Sequence, residues 1–146
     1  MKKQQYLDLK KKHEKEVSDF PIAYAFNDEQ LKEALIKLGV ESVKECVTIF
    51  GHGDIVKKED AKRFVQLLTD HSNEIQRKML EDSEFAQAAF LYEMDNHEYA
   101  INYDGDEDVL RCFGWTLDEL ENISMDLANA YERARSHHFV NAREWM

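Results

Sequence analysis

A chain of 146 residues and 17.2 kDa is about one domain's worth, which excludes a two-lobed enzyme with its cleft between domains. Its 43% hydrophobic content suffices for one core, while five Gly and one Pro are too few turn formers for a sandwich or barrel of many short strands. The net charge of −11 opposes direct binding to nucleic acid, and no apolar run approaches the roughly 18 residues of a membrane span, nor is there a signal-peptide stretch. The expectation is a mainly α (α+β) single domain over residues 1–146, cytoplasmic, with a two- or three-stranded sheet.

Residues 2–18 read as a charged helix, with Tyr6, Leu9, His13 and Val17 recurring at spacings of three and four. Pro21 interrupts, and residues 22–26 form a short apolar run suited to a strand. Asn27 and Gln30 have the spacing of a capping box, Phe26 and Leu31 that of a hydrophobic staple, and Gly39 ends the helix whose buried face is Leu31, Ala34, Leu35 and Leu38. Ser42 and Glu45 repeat the capping pattern over a short turn. Residues 47–50 read as a second strand, expected to pair with 22–26 and to stop at Gly51-His52-Gly53-Asp54. That turn precedes Lys57-Lys58 but lacks the phosphate-cradling GxxxxGK[ST] pattern, and Asp54 would repel a phosphate.

From Lys58 to about Met79 a long amphipathic helix is expected, with Ala61, Phe64, Leu67, Leu68, His71, Ile75 and Met79 inward. A second begins at Asp82 or Ser83, buries Phe85, Ala88, Ala89, Leu91 and Tyr92, and ends near Asn96-His97. Residues 99–103 are a candidate third strand, and 106–113 a short helix stopped by Gly114. Thr116 and Glu119 cap a last helix reaching about Ser136, with Leu120, Ile123, Met125, Leu127, Ala130 and Tyr131 as its stripe. Phe139, Val140 and Trp145 suggest a tail folded onto the body.

The charge is concentrated. Residues 81–126 contain 14 acids against one base, Arg111, while the chain on either side is nearly neutral. If these acids share a face, that face repels nucleic acid and attracts basic surfaces; the bland alternative is a solubilising face. Six Lys in the first 15 residues are the one basic footprint. Asp104, Asp106 and Asp108 match the first, third and fifth places of a calcium-binding EF-hand loop, but Val109 stands where the sharp-turn Gly belongs and Trp115 where the closing Glu belongs. Glu93 and His97, four apart on a helix, make half of a metal site, for which His52, His71, His137 or His138 would have to supply more through the fold. Cys46 and Cys112 form neither a disulfide framework nor a CxxC motif, and the acids near Cys112 disfavour a reactive thiolate. No cofactor and no metal is assigned.

The stretch from Ala25-Phe26 to Leu38-Gly39, the turn Gly51 to Lys57, the run Phe85-Ala86-Gln87-Ala88-Ala89-Phe90-Leu91-Tyr92-Glu93 leading into Asn96-His97-Glu98-Tyr99, and the helix ending at Phe113-Gly114 together resemble a family of small uncharacterised proteins of bacteriophages, mobile elements and gut bacteria. Asn-His-Glu-Tyr is the most particular of these motifs, and the resemblance spans roughly residues 20–120. It implies no catalytic residue, but a setting in which a protein acts on host machinery. The expected function is therefore a non-enzymatic inhibitor, of the anti-CRISPR or another anti-defence type, that engages the basic nucleic-acid-binding surface of a host protein. Its partner-binding residues would be Glu93, Asp95, Glu98, Asp104, Asp106, Glu107, Asp108, Asp118, Glu119 and Glu121. A small phage regulatory protein that dimerises through an apolar surface is the alternative, and a metal-dependent enzyme the third reading.

Overall fold

The computed structural model describes residues 1–143, so Trp145 lies outside the described residues. These form seven α-helices and three strands: α1 (Lys2–Asp19), β1 (Ile22–Tyr24), α2 (Asp28–Leu38), β2 (Cys46–Val47), β3 (Asp54–Lys57), α3 (Lys58–Glu81), α4 (Ser83–Asn96), α5 (Gly105–Arg111), α6 (Leu117–Ile123) and α7 (Met125–Ala142). The fold is mainly helical α+β with one small antiparallel sheet. No helix among the described residues is long and apolar enough to cross a membrane. The chain divides into two compact units, one of residues 12–71 and one of residues 1–11 with the chain from Ser72 onward.

In the first unit the sheet order is β1-β3-β2. The central strand is the one the sequence hid. Residues 54–57 look like the tail of a turn, yet β3 pairs with β1 through Ile22↔Val56 and Ala23↔Ile55, and with β2 through Val47↔Val56. The expected direct pairing of 22–26 with 47–50 is therefore replaced by pairing of each with β3. Side chains alternate across a strand, so partners in register share a face. Ile22 and Val56 pack with Phe64 of α3, along with Val17, Phe20, Ile49 and Leu68. Ala23 and Ile55, on the other face, pack with Ala34 and Leu38 of α2. Helix α2 starts as its sequence suggests, with Asn27 Oδ1 accepting from the Gln30 amide at 2.8 Å, although Gln30 reaches back to the Phe26 amide rather than to that of Asn27. Gly39, at φ 72°, closes it: its amide donates to Ile36 and that of Val40 to Leu35.

Beyond Val47 the backbone leaves the sheet, because Asp54 gathers the turn around itself. One oxygen of its buried carboxylate accepts from the amides of Ile49 (2.7 Å) and Phe50 (3.0 Å), the other from the amide of His52 (3.2 Å) and the hydroxyl of Thr48 (2.9 Å). Amides that elsewhere cradle a phosphate are here filled by the chain's own anion. Burial pushes this carboxyl's pKa up, but the backbone and hydroxyl donors outweigh that and hold it well below the usual carboxylate range.

In the second unit α4 and α7 lie along each other. Phe85, Ala86, Ala89, Phe90, Glu93 and Met94 of α4 are buried, so its inward face is turned from the expected stripe: Phe85 and Ala89 are shared, whereas Ala88, Leu91 and Tyr92 are only partly buried. Its small residues match Ala130 and Ala134 of α7, also fully buried. Edge-to-face contacts of Phe90 with Tyr131 (5.0 Å) and Phe113 (5.2 Å) tie α4 to α7 and to the segment after α5. Tyr6 of α1 packs on Phe85, Tyr92 and Phe113.

Two expectations fail here. Residues 99–101 form a 3-10 turn, not a strand, entered through Glu98 in the left-handed region (φ 53°). The last helix is two helices: Ser124 adopts an extended backbone (φ −160°) and its side chain accepts from the Leu127 amide, so it ends α6 and caps α7. Ile123 and Met125 flank this break and are exposed rather than buried. Of the expected tail contacts, Phe139 meets the Tyr99 ring within α7's own unit but stays exposed, as does Val140.

Candidate functional site

The acidic segment separates into two populations. Glu93 lies on the inner side of α4 with 1% of its side chain exposed, so it cannot belong to a binding face. Asp106, in the first turn of α5, accepts from both Tyr99 (2.6 Å) and Tyr131. Burial first, and this carboxylate second, push the Tyr99 hydroxyl up to about 12 and that of Tyr131 further. Asp108 accepts from Asn102 at 2.9 Å and lies 3.8 Å from Arg111. Asp95 is half exposed and faces His138: the Ala100 amide donates to Nε2 of that ring (2.9 Å), which places the ring proton on Nδ1, 2.7 Å from Asp95. Glu98, Asp104, Glu107, Asp118, Glu119 and Glu121 form the second population and are exposed. A groove of about 500 Å³ beside α5 and the start of α6 is lined by Asp106, Glu107, Arg111, Gly114, Trp115, Thr116 and Leu117. The calcium-loop reading fails, because residues 105–111 are helical and Asp106 and Asp108 serve different partners.

The sequence missed a cluster around Glu93. Tyr6 and Lys10, one turn apart on α1, both donate to Glu93 Oε2, at 2.5 and 2.8 Å. Burial, then the bond to Glu93, keep the Tyr6 hydroxyl protonated far above its ordinary range, so it is a fixed donor. His97 follows Glu93 by four residues, which on a helix puts both on one side; its Nε2 lies 3.8 Å from Glu93 Oε1. Cys112, at the end of α5, brings Sγ to 3.3 Å from the same Nε2. These three ligand-type atoms lie within 4.8 Å of one another, the one such group found among the described residues. Burial and then Glu93 push the Cys112 thiol pKa up. Of the histidines considered as companions to His97, His71 is bonded to Glu16 at 2.6 Å and stacked on His13, His138 serves Asp95 and Ala100, and His52 and His137 are exposed. The i, i+4 pair was visible in sequence. The third member, 15 residues beyond His97, had no local spacing to betray it.

Fold and site define a small helix-rich α+β protein with a buried, doubly hydrogen-bonded carboxylate beside a histidine and a thiol. The chain belongs to the family of unknown function DUF7659, whose family model matches residues 5–137. That span contains Tyr6, Lys10, Glu93, His97 and Cys112. No curated protein and no solved structure matches it.

Proposed function

We propose that this chain is a non-enzymatic binding protein whose acid-rimmed groove at α5 and α6 engages a basic segment of a host protein, of the kind that otherwise holds nucleic acid. The observation that carries this reading is a groove with apolar wall and acidic rim, in a segment where Arg111 is the one base among 14 acids. An arginine or lysine suits it: the aliphatic stem lies on Trp115 and Leu117 while the charged head meets Glu107. Asp104, Asp118, Glu119 and Glu121 add an attractive field that steers basic partners and speeds association. The concrete form, in a phage or mobile-element setting, is an inhibitor of the anti-CRISPR or other anti-defence type. The direct test is titration of the protein with a fluorescent peptide rich in arginine and leucine at rising salt. Saturable binding that falls steeply with salt, and is lost in Glu107→Lys, is expected. Binding indifferent to both sinks the reading.

A further inference from the structure

We propose that Glu93, His97 and Cys112 form a binding site for a zinc-type divalent transition-metal ion, with one coordination position open to solvent. The donor set is mixed carboxylate, imidazole and thiolate, which zinc accepts and calcium or magnesium does not. Zinc bonds of about 2.0–2.3 Å at the tetrahedral angle place neighbouring ligand atoms about 3.3–3.6 Å apart. Here Cys112 Sγ and His97 Nε2 are 3.3 Å apart, and His97 Nε2 and Glu93 Oε1 are 3.8 Å apart. These two edges suit an ion with shifts of a few tenths of an ångström, and the third, Cys112 Sγ to Glu93 Oε1, is within 4.8 Å.

The arrangement differs from that of a thiol nucleophile. A cysteine–histidine–carboxylate relay needs the thiol on one ring nitrogen and the carboxylate on the other. In this site Cys112 Sγ and Glu93 Oε1 both face Nε2, so three lone-pair donors converge on one point, as ligands do.

The surroundings hold the ligands in place. Tyr6 and Lys10 occupy Glu93 Oε2, which leaves Oε1 turned toward His97. Asn102 donates to the His97 carbonyl at 3.2 Å and to Asp108 at 2.9 Å, and so ties the end of α4 to α5, which bears Cys112 at its end. Helix α4 ends at Asn96, and the left-handed turn at Glu98, directly after its cap His97, lets Asn102 return to the His97 carbonyl. On binding, the thiol proton leaves to solvent; thiolate and carboxylate then offset the dication, and the positive charge left over is that of Lys10, whose side chain is one-third exposed to water. Lys10 then stays paired with Oε2. Glu93 is enclosed, His97 is one-third exposed and Cys112 is exposed, so the fourth position faces water.

The test uses the untagged full chain after chelator treatment. Zn²⁺ titrated against a competing chromophoric chelator should bind one ion per chain. Co²⁺ in its place should show the near-ultraviolet thiolate-to-cobalt band, which Cys112→Ser removes. His97→Gln should weaken Zn²⁺ binding at least tenfold, and Asn102→Ala, which keeps all three ligands, about tenfold to a hundredfold. His137→Gln, at an exposed histidine outside the cluster, should bind as the parent does. Cys112 and His97 reach the surface, so their replacement should leave the circular dichroism unchanged, and that measurement assigns any loss to the ligand. Absence of saturable binding, a Co²⁺ spectrum without the thiolate band, or Cys112→Ser and His97→Gln binding as tightly as the parent overturns the proposal.

Discussion

Adjacent acids in this chain do opposite things, and the difference is set by what each touches. Asp106 accepts from two tyrosines, whereas Glu107 is exposed and meets only its own-helix neighbour Arg111 at 3.2 Å. Asp106→Ala leaves two hydroxyls without their acceptor and should cost about 2–3 kcal/mol, while Glu107→Lys should stay within about 0.5 kcal/mol. Equal unfolding midpoints for the two would refute the assignment. Asp54 gives a second residue-scale test. Its folded-state pKa is depressed, so its contribution is present above the ordinary carboxylate range near pH 4 and is lost as pH falls through the folded value. Asp54→Asn replaces one acceptor oxygen by an amide that faces donors, and should cost about 2–3 kcal/mol at neutral pH. Denaturant midpoints of parent and variant should converge as the solution is acidified; a constant gap would show that the ionised carboxylate is not what holds the turn. Sequence named Asp54 only as a residue that would repel phosphate. That it fills its own loop depends on amides two to five residues before it folding around it, which no spacing rule reports.

At the scale of elements, the helices with a long apolar period and a local cap were legible: α2, α3 and α4 begin and end within two residues of where periodicity and capping placed them. Two features were not. Strand β3 is four residues, two of them charged, and it becomes a central strand only because Ile22 and Cys46 on separate segments pair with it. The α6–α7 break carries no Gly or Pro. Leu120, Ile123, Leu127 and Ala130 keep a 3–4 spacing straight through it, and only the Ser124 side chain, bonded to the Leu127 amide, marks the stop. Thr116 caps α6 in the same manner, accepting from the Glu119 amide at 3.2 Å. Thr116→Ala and Ser124→Ala should each cost about 1 kcal/mol, a typical cap value. The instructive readout for Ser124→Ala is helicity as well as midpoint: a gain in helical circular dichroism would mean that α6 and α7 fuse once the cap is gone, and an unchanged midpoint in either variant would mean that its cap contributes nothing.

At the scale of the whole molecule, the question is whether the surplus negative charge works as a surface or only keeps the chain dissolved. The charge count was visible in sequence. The division between exposed acids and those committed to the interior was not, since it depends on Tyr6, Tyr99, Tyr131 and His138 arriving from distant segments. That division makes a cleaner experiment. Asp104, Glu107, Asp118, Glu119 and Glu121 are exposed, and among the described residues none accepts a bond from a distant segment, so reversing all five to Lys alters the field by ten charges while sparing Asp106, Asp108 and Glu93. Stability should fall by little more than the loss of the Thr116–Glu119 pairing, because exposed substitutions away from such features lie within about 0.5 kcal/mol each. Binding to a basic partner should respond far more, since each contact turns from attraction to repulsion and the steering field changes sign. Affinity of the parent should decline as the Debye length shrinks to about 10 Å and below, and the five-fold variant should lose both the affinity and its salt dependence. The matching control is Lys11→Glu with Lys15→Glu, two exposed lysines of α1. A surface that works through its acids tolerates that change, whereas direct contact with nucleic acid through α1 does not. Loss of binding in the lysine variant, with binding retained in the five-fold variant, would move the working surface from α5 and α6 to α1.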